Sequence, residues 1–281
     1  MTYKSIFTAA TQAAQVPLTV AAAAKLCAQN DAHLDVLALG VDRTQVGYSY
    51  IGSGAVLMQV AQDRAEEDAR LLEKAVRAAV LAEAPGLRVG IEAAVTQFGA
   101  LTDLVAQRAR FADLVVLPRP YGKEQGPEAE AVIEAALFEG CAPVLVLPES
   151  GLSSASPTRV VVAWNQSREA MAAVRAALPM LKQADQVTIT VIDPPVHGPE
   201  RSDPGGMLCQ MLVRHGVRAE VTVLARTLPR VSDVLQRHLR DVSADLLVMG
   251  AYGHSRFREA ILGGATRNML EGADVPVLMA R

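Results

Sequence analysis

Short continuous apolar runs alternate along this chain with longer stretches of helical periodicity, and the whole alternation is carried through twice. Uninterrupted runs of β-branched and aliphatic residues suit strands covered on both faces, as in a parallel sheet, whereas strict apolar–polar alternation would mark a half-solvated one. In the first half the pattern predicts strands over 4–10, 33–39, 88–95, 113–117 and 144–147. Helices are predicted between them over 16–30, 57–83, 100–110 and 128–138. The long 57–83 stretch spaces its charges, Arg64, Glu67, Arg70 and Lys74, as a surface helix does. The residues before it, 42–53, are polar and glycine-bearing and read as a loop.

Residues 151–157, Gly-Leu-Ser-Ser-Ala-Ser-Pro, have linker composition, and the pattern restarts immediately after them. Strands follow over 159–164, 186–192, 218–224, 245–249 and 275–280. Ser167 caps a helix that Pro179 should kink or end, further helices cover 206–215 and 231–242, and a last short one begins near Gly264-Ala265-Thr266. The halves also repeat in wording: Ala112-Asp113-Leu-Val-Val-Leu matches Ala244-Asp245-Leu-Leu-Val-Met, and Cys141-Ala-Pro143-Val-Leu-Val-Leu matches Ala273-Asp-Val-Pro276-Val-Leu-Met. The reading is a tandem duplication, domains 1–150 and 157–281. Each is a doubly wound, Rossmann-like α/β domain on a five-stranded parallel sheet, with its ligand crevice beyond the strands' carboxyl ends. Each last strand would be an aggregation-prone apolar edge if left bare, so the two are expected to pair antiparallel in an intrachain pseudo-dimer. Whether two chains associate as a homodimer stays open.

Composition narrows the classes. Hydrophobic residues make up 51% of the 281 positions but aromatics only 4%, so Ala, Val and Leu build the interior. A formal net charge of −3 gives no electrostatic footprint for nucleic acid or an anionic membrane surface. The chain opens with no secretory pattern, and nothing approaches the ~18 apolar residues of a membrane span, so a soluble, cytoplasmic protein is expected. Cys27, Cys141 and Cys209 lack metal-ligand spacing and are odd in number, which argues against a disulfide framework and a zinc site. His197, His215 and His238 share no ligand spacing either; His238 flanks the stripe Val234, Leu235, Leu239, Val242 and reads as a helix-face histidine.

Chemistry concentrates after the 245–249 strand. Gly250, Gly253, Gly263 and Gly264 fall within fifteen residues, ahead of the last helix. Glycines past a strand's carboxyl end make room for a close backbone or ligand approach, and a helix N-terminus favours an anion such as phosphate. His254, Arg256, Arg258 and Arg267 could add charge-assisted contacts. No Gly-x4-Gly-Lys-(Ser/Thr) loop, Gly-x-Ser-x-Gly elbow or Ser-Gly-Gly turn of an adenylating enzyme occurs, and His254-Ser255 has no third group to complete a nucleophile pair, so no dedicated enzyme is expected.

Gly250-x2-Gly253-x9-Gly263, together with Val160-Val-Val-Ala-Trp-Asn-Gln-Ser-Arg-Glu, resembles the nucleotide-binding signature of the universal stress protein family, in a tandem form like its two-domain bacterial members. The resemblance implies a stress-response regulatory module binding ATP, one site per chain. That site would be formed by Ala163, Trp164, Asn165, Val191, Met249, Gly250, Tyr252, Gly253, His254, Gly263, Gly264, Ala265 and Thr266. Asn165 stands in the slot of the family's nucleoside-contacting aspartate, Val191 in that of a base-packing valine, and the 250–266 loop would hold the phosphates. Gly264 occupies the family's Ser/Thr position, with Thr266 the nearest hydroxyl. The first half ends its fourth strand in Pro118 and continues Arg119-Pro-Tyr-Gly-Lys123-Glu-Gln-Gly126. It is read as a degenerate, structural or partner-facing copy, with Arg119, Lys123 and Gly126 as an alternative anion site. The rival readings are a scaffold acting through unknown protein partners without nucleotide, and a slow ATP hydrolase.

Overall fold

The computed structural model describes residues 2–44, 54–122, 125–194, 202–251 and 264–281. Tyr252, Gly253, His254 and Gly263 of the expected site, with Arg256, Arg258 and Lys123, lie outside the described residues. The chain divides into two compact units, Tyr3–Ala142 and Pro143–Arg281.

In the first unit, strand β1 (Ser5–Ala10), helix α1 (Val16–Asn30), β2 (His33–Asp42), α2 (Gly54–Glu83), β3 (Val89–Gln97), α3 (Leu101–Ala109), β4 (Leu114–Pro118) and α4 (Pro127–Glu134) follow in turn. The strands lie in the order β3-β2-β1-β4, with β1 parallel to β2 on one side and to β4 on the other. A doubly wound sheet follows from this order, because the chain moves outward from β1 twice and then returns to its far side. Helix α2 buries Ala65, Ala69, Leu72, Val76 and Val80, a stripe at helical spacing. Its outer face carries the Arg70–Glu66 and Arg77–Glu73 pairs, at 3.4 and 2.6 Å. The predicted 128–138 helix is two pieces, α4 and a π-helical turn over Ala135–Glu139.

The second unit contains β5 (Val144–Leu147), β6 (Arg159–Ala163), α5 (Arg168–Leu181), β7 (Gln186–Ile192), α6 (Gly206–Arg214), β8 (Ala219–Leu224), α7 (Val231–Asp241), β9 (Leu246–Gly250), α8 (Ala265–Gly272) and β10 (Val277–Ala280). Its strands run β5-β10-β9-β6-β7-β8, all parallel except β5, which pairs antiparallel with β10 through Val146↔Val277, Leu145↔Leu278 and Val144↔Met279. The division of strands is therefore four and six rather than five and five. The boundary falls at Pro143, ahead of the 151–157 stretch, because β5 completes the edge of β10 and all eight residues of the two strands are buried. Helix α5 does not end at Pro179 but runs through it to Leu181. The missing N–H falls in the last turn, where Met180 and Leu181 are buried against the sheet side.

The repeated Ala-Asp pair has one role in both units. Asp113 accepts from the backbone N–H groups of Lys4 and Ser5 through Oδ2, at 2.6 and 3.0 Å. Asp245 accepts from those of Thr158 and Arg159, at 2.7 and 3.0 Å. The carboxylates thus tie the amino end of β1 to that of β4 in the first unit and that of β6 to that of β9 in the second. Among the described residues no helix is long and apolar enough to cross a membrane, and no group of three or more His, Cys, Asp and Glu could hold a metal ion.

Candidate functional site

In the second unit the carboxyl ends of β9, β6 and β7 lie side by side, the end of β9 packs against the start of α5, and α8 begins after the glycine-rich segment. Ala163 is the last residue of β6, half-buried, in register with Thr190 on one side and Met249 on the other. Trp164 follows; its backbone N–H donates to the Thr190 carbonyl at 2.9 Å, which holds the indole at the mouth of the sheet, 7% exposed. Its Nε1 has no hydrogen-bond partner among the described residues, and neither has the hydroxyl of Thr190, 1% exposed. Two buried polar groups left open near the carboxyl ends of adjacent strands are uncommon, since such groups ordinarily find partners. Thr190 was missed in the sequence; a threonine inside the otherwise apolar Val-Thr-Ile-Thr-Val run was the available signal.

Asn165 is exposed, and its Oδ1 accepts from the backbone N–H of Ser167 at 3.2 Å, closing an Asx turn over Gln166, whose φ of 61° is left-handed. That bond takes one of the two lone pairs of the oxygen, so the second lone pair and the Nδ2 donor keep hydrogen-bonding capacity. Ser167 caps α5 as predicted, its Oγ accepting from the Ala170 N–H at 3.0 Å.

Val191 is buried; its Cγ2 lies 3.4 Å from the place a Cβ would take at Gly205, at the entrance to α6. Successive strand residues face opposite sides, so Val191 and Thr190 do not share a face of β7. Met249 is buried in β9, and Gly250 is packed against the first turn of α5, where a side chain would meet backbone. Gly264 precedes α8 with φ −60° and ψ 161°, an extended N-cap without a side-chain cap, and its carbonyl accepts from the Asn268 N–H at 3.1 Å. Ala265 is exposed, while Thr266, the hydroxyl expected to replace the one missing at Gly264, is buried at 4% exposure. Arg267 spends its charge on Glu271 at 2.8 Å, one helical turn on. The first turn of α8 holds no acidic residue, so the partial positive charge of its N-terminus is unopposed by its own side chains.

His238 is buried on α7 as the periodicity predicts, its Nε2 without a partner among the described residues. Burial holds its pKa below the ordinary histidine value, Asp241 opposing.

The strand order and the helices between the parallel strands define the second unit as a Rossmann-like, doubly wound α/β domain. The sequence profile described as the Universal stress protein family matches residues 157–281, so the second half of the chain is similar to that family. Universal stress protein Slr1230 of Synechocystis sp. is 35% identical over 72 residues, 26% of this chain; the match spans about a quarter, 24%, of that relative's length. The crystal structure of a universal stress protein from Archaeoglobus fulgidus DSM 4304 shares the fold over 99% of this chain and 96% of its own, with a TM-score of 0.70 at 14% identity.

Proposed function

We propose that the chain is a stress-response regulatory module whose second domain binds one adenine nucleotide, ATP foremost, and carries out no dedicated catalysis. The likeness of residues 157–281 to the Universal stress protein family supports the stress-response role. The observations that carry the ligand are two open buried groups at the strand ends, Trp164 Nε1 and Thr190 Oγ1, and a last helix whose first turn is free of acidic residues. An indole N–H can only donate and a hydroxyl donates or accepts, so the set suits an acceptor-rich guest, with Ala163, in register with Thr190 and Met249, as its apolar neighbour. ATP fits these requirements: its phosphates suit the amino end of α8 and its base the apolar strand ends. Acting through protein partners without nucleotide is the second reading, favoured by the engagement of Asn165 Oδ1 within its own turn.

Trp164 is the single tryptophan of the chain, which makes the site self-reporting. Titrating the full chain with ATP should change its tryptophan fluorescence saturably, at one equivalent per chain. At about a hundred times the dissociation constant the ligand should add roughly 2.7 kcal/mol, a rise in melting midpoint of about 5 to 11 °C. Silence of both signals with ATP, ADP and AMP would replace this reading by the partner scaffold.

A further inference from the structure

Helices α4 and α8 are the last helices of the two sequence repeats, and they differ at their first turns by two carboxylates: α8 has none, whereas α4 has Glu128 and Glu130. Glu130 accepts from the hydroxyl of Tyr121 at 2.6 Å. Glu128 is 2% exposed, and its Oε1 accepts from the Nε of Arg43, just beyond the carboxyl end of β2. A Cβ at Gly126, the residue before α4, would collide with Glu128 Oε2, so the carboxylate folds back over the start of its own helix. That is where unpaired N–H groups and the positive end of the helix dipole lie. The pairing raises the pKa of Arg43, chiefly through the hydrogen bond to Glu128, with Asp68 adding a smaller attraction.

The carboxylate borders a built crevice. A pocket of about 190 Å³ lies over the ion pair, between Thr11, Leu39, Val41, Asp68 and Leu71. A smaller cavity of about 20 Å³ continues from Thr11 along Gln12 and Gln125 to Thr8. The Thr8 hydroxyl, 2% exposed, has no partner among the described residues. The first domain therefore keeps an open buried donor, a cation and a helix N-terminus at the carboxyl ends of β1, β2 and β4, the place where such sheets take ligands.

We infer that Glu128 is an internal ligand: its carboxylate fills the anion position at the start of α4, with Arg43 as countercharge, and so closes the first domain to phosphate-bearing molecules while leaving an anion site intact beneath it. A phosphate brought there would face the buried carboxylate at contact distance, and like charges in a poorly solvated site repel strongly. Removing the charge but not the shape should open the site. The second domain's ligand plays no part in this.

The test is titration calorimetry of the full chain with inorganic pyrophosphate, comparing wild type, Glu128→Gln and Glu128→Ser, each checked for folding by circular dichroism. Each neutral variant should bind one pyrophosphate per chain more than wild type does, whatever the wild-type count, with an affinity that falls as salt rises. Adding Arg43→Met to Glu128→Gln should weaken that extra site about ten-fold, equivalent to about 1.4 kcal/mol. An unchanged pyrophosphate count in either folded variant overturns the inference, as does an extra site indifferent to Arg43→Met.

Discussion

A Cβ built on Gly250 would stand 2.5 Å from the amide nitrogen of Ala170 and 2.8 Å from the carbonyl carbon of Glu169. The end of β9 and the first turn of α5 thus touch backbone to backbone, and the glycine that opens the family signature is required by packing before any ligand arrives. Gly250→Ala should destabilise the ligand-free protein by about 1 to 3 kcal/mol, the usual cost of overpacking, seen as a lower urea midpoint. An unchanged midpoint would return this glycine to a purely ligand-facing role.

The Ser167 cap holds the same turn in place. Ser167→Ala leaves the Ala170 N–H without its acceptor and should cost about 1 kcal/mol, with little change in the near-ultraviolet signal of Trp164. A loss of several kcal/mol would mean that the Asx turn at Asn165 collapses along with the cap.

Histidine 238 gives the protein a pH-dependent increment of known sign. Its folded pKa is depressed by burial, so the unfolded chain binds the proton more readily. Its contribution is whole above the ordinary histidine value of about 6.5 and is lost as pH falls from there toward the folded pKa. Urea unfolding of wild type and His238→Leu between pH 8 and 5 should show the variant losing less stability over that interval. Parallel profiles would contradict the burial of the imidazole.

The three thiols should separate by access. Cys141 is exposed, Cys209 partly covered, and Cys27 buried with its pKa pushed up to about 12, burial outweighing the favourable field of Arg88. A thiol-disulfide reagent at pH 8 should label Cys141 first, Cys209 more slowly, and Cys27 only on unfolding. Rapid labelling of all three in the native protein would refute the packing of α1 on its sheet.

The order of elements was legible in the sequence because it depends on local periodicity: continuous apolar runs for buried strands, a helical stripe at Ala65, Ala69, Leu72, Val76 and Val80, and a serine before the α5 run. The duplication was legible for the same reason, and its repeated Asp113 and Asp245 prove to be strand clamps. Tertiary structure alone decided the matters that turn on which distant groups come into contact. Strand β5 joins the second unit because the edge of β10 can be satisfied only by a partner far away in sequence. Helix α5 survives Pro179 because buried neighbours hold its final turn. Asn165 Oδ1 accepts from the Ser167 N–H, and Gly250 answers to Ala170. Arg43 and Glu128, 85 residues apart, pair an exposed guanidinium with a buried carboxylate, which no local pattern announces, because charge pairing across a fold depends on distance in space and on desolvation, neither of which is written in residue order.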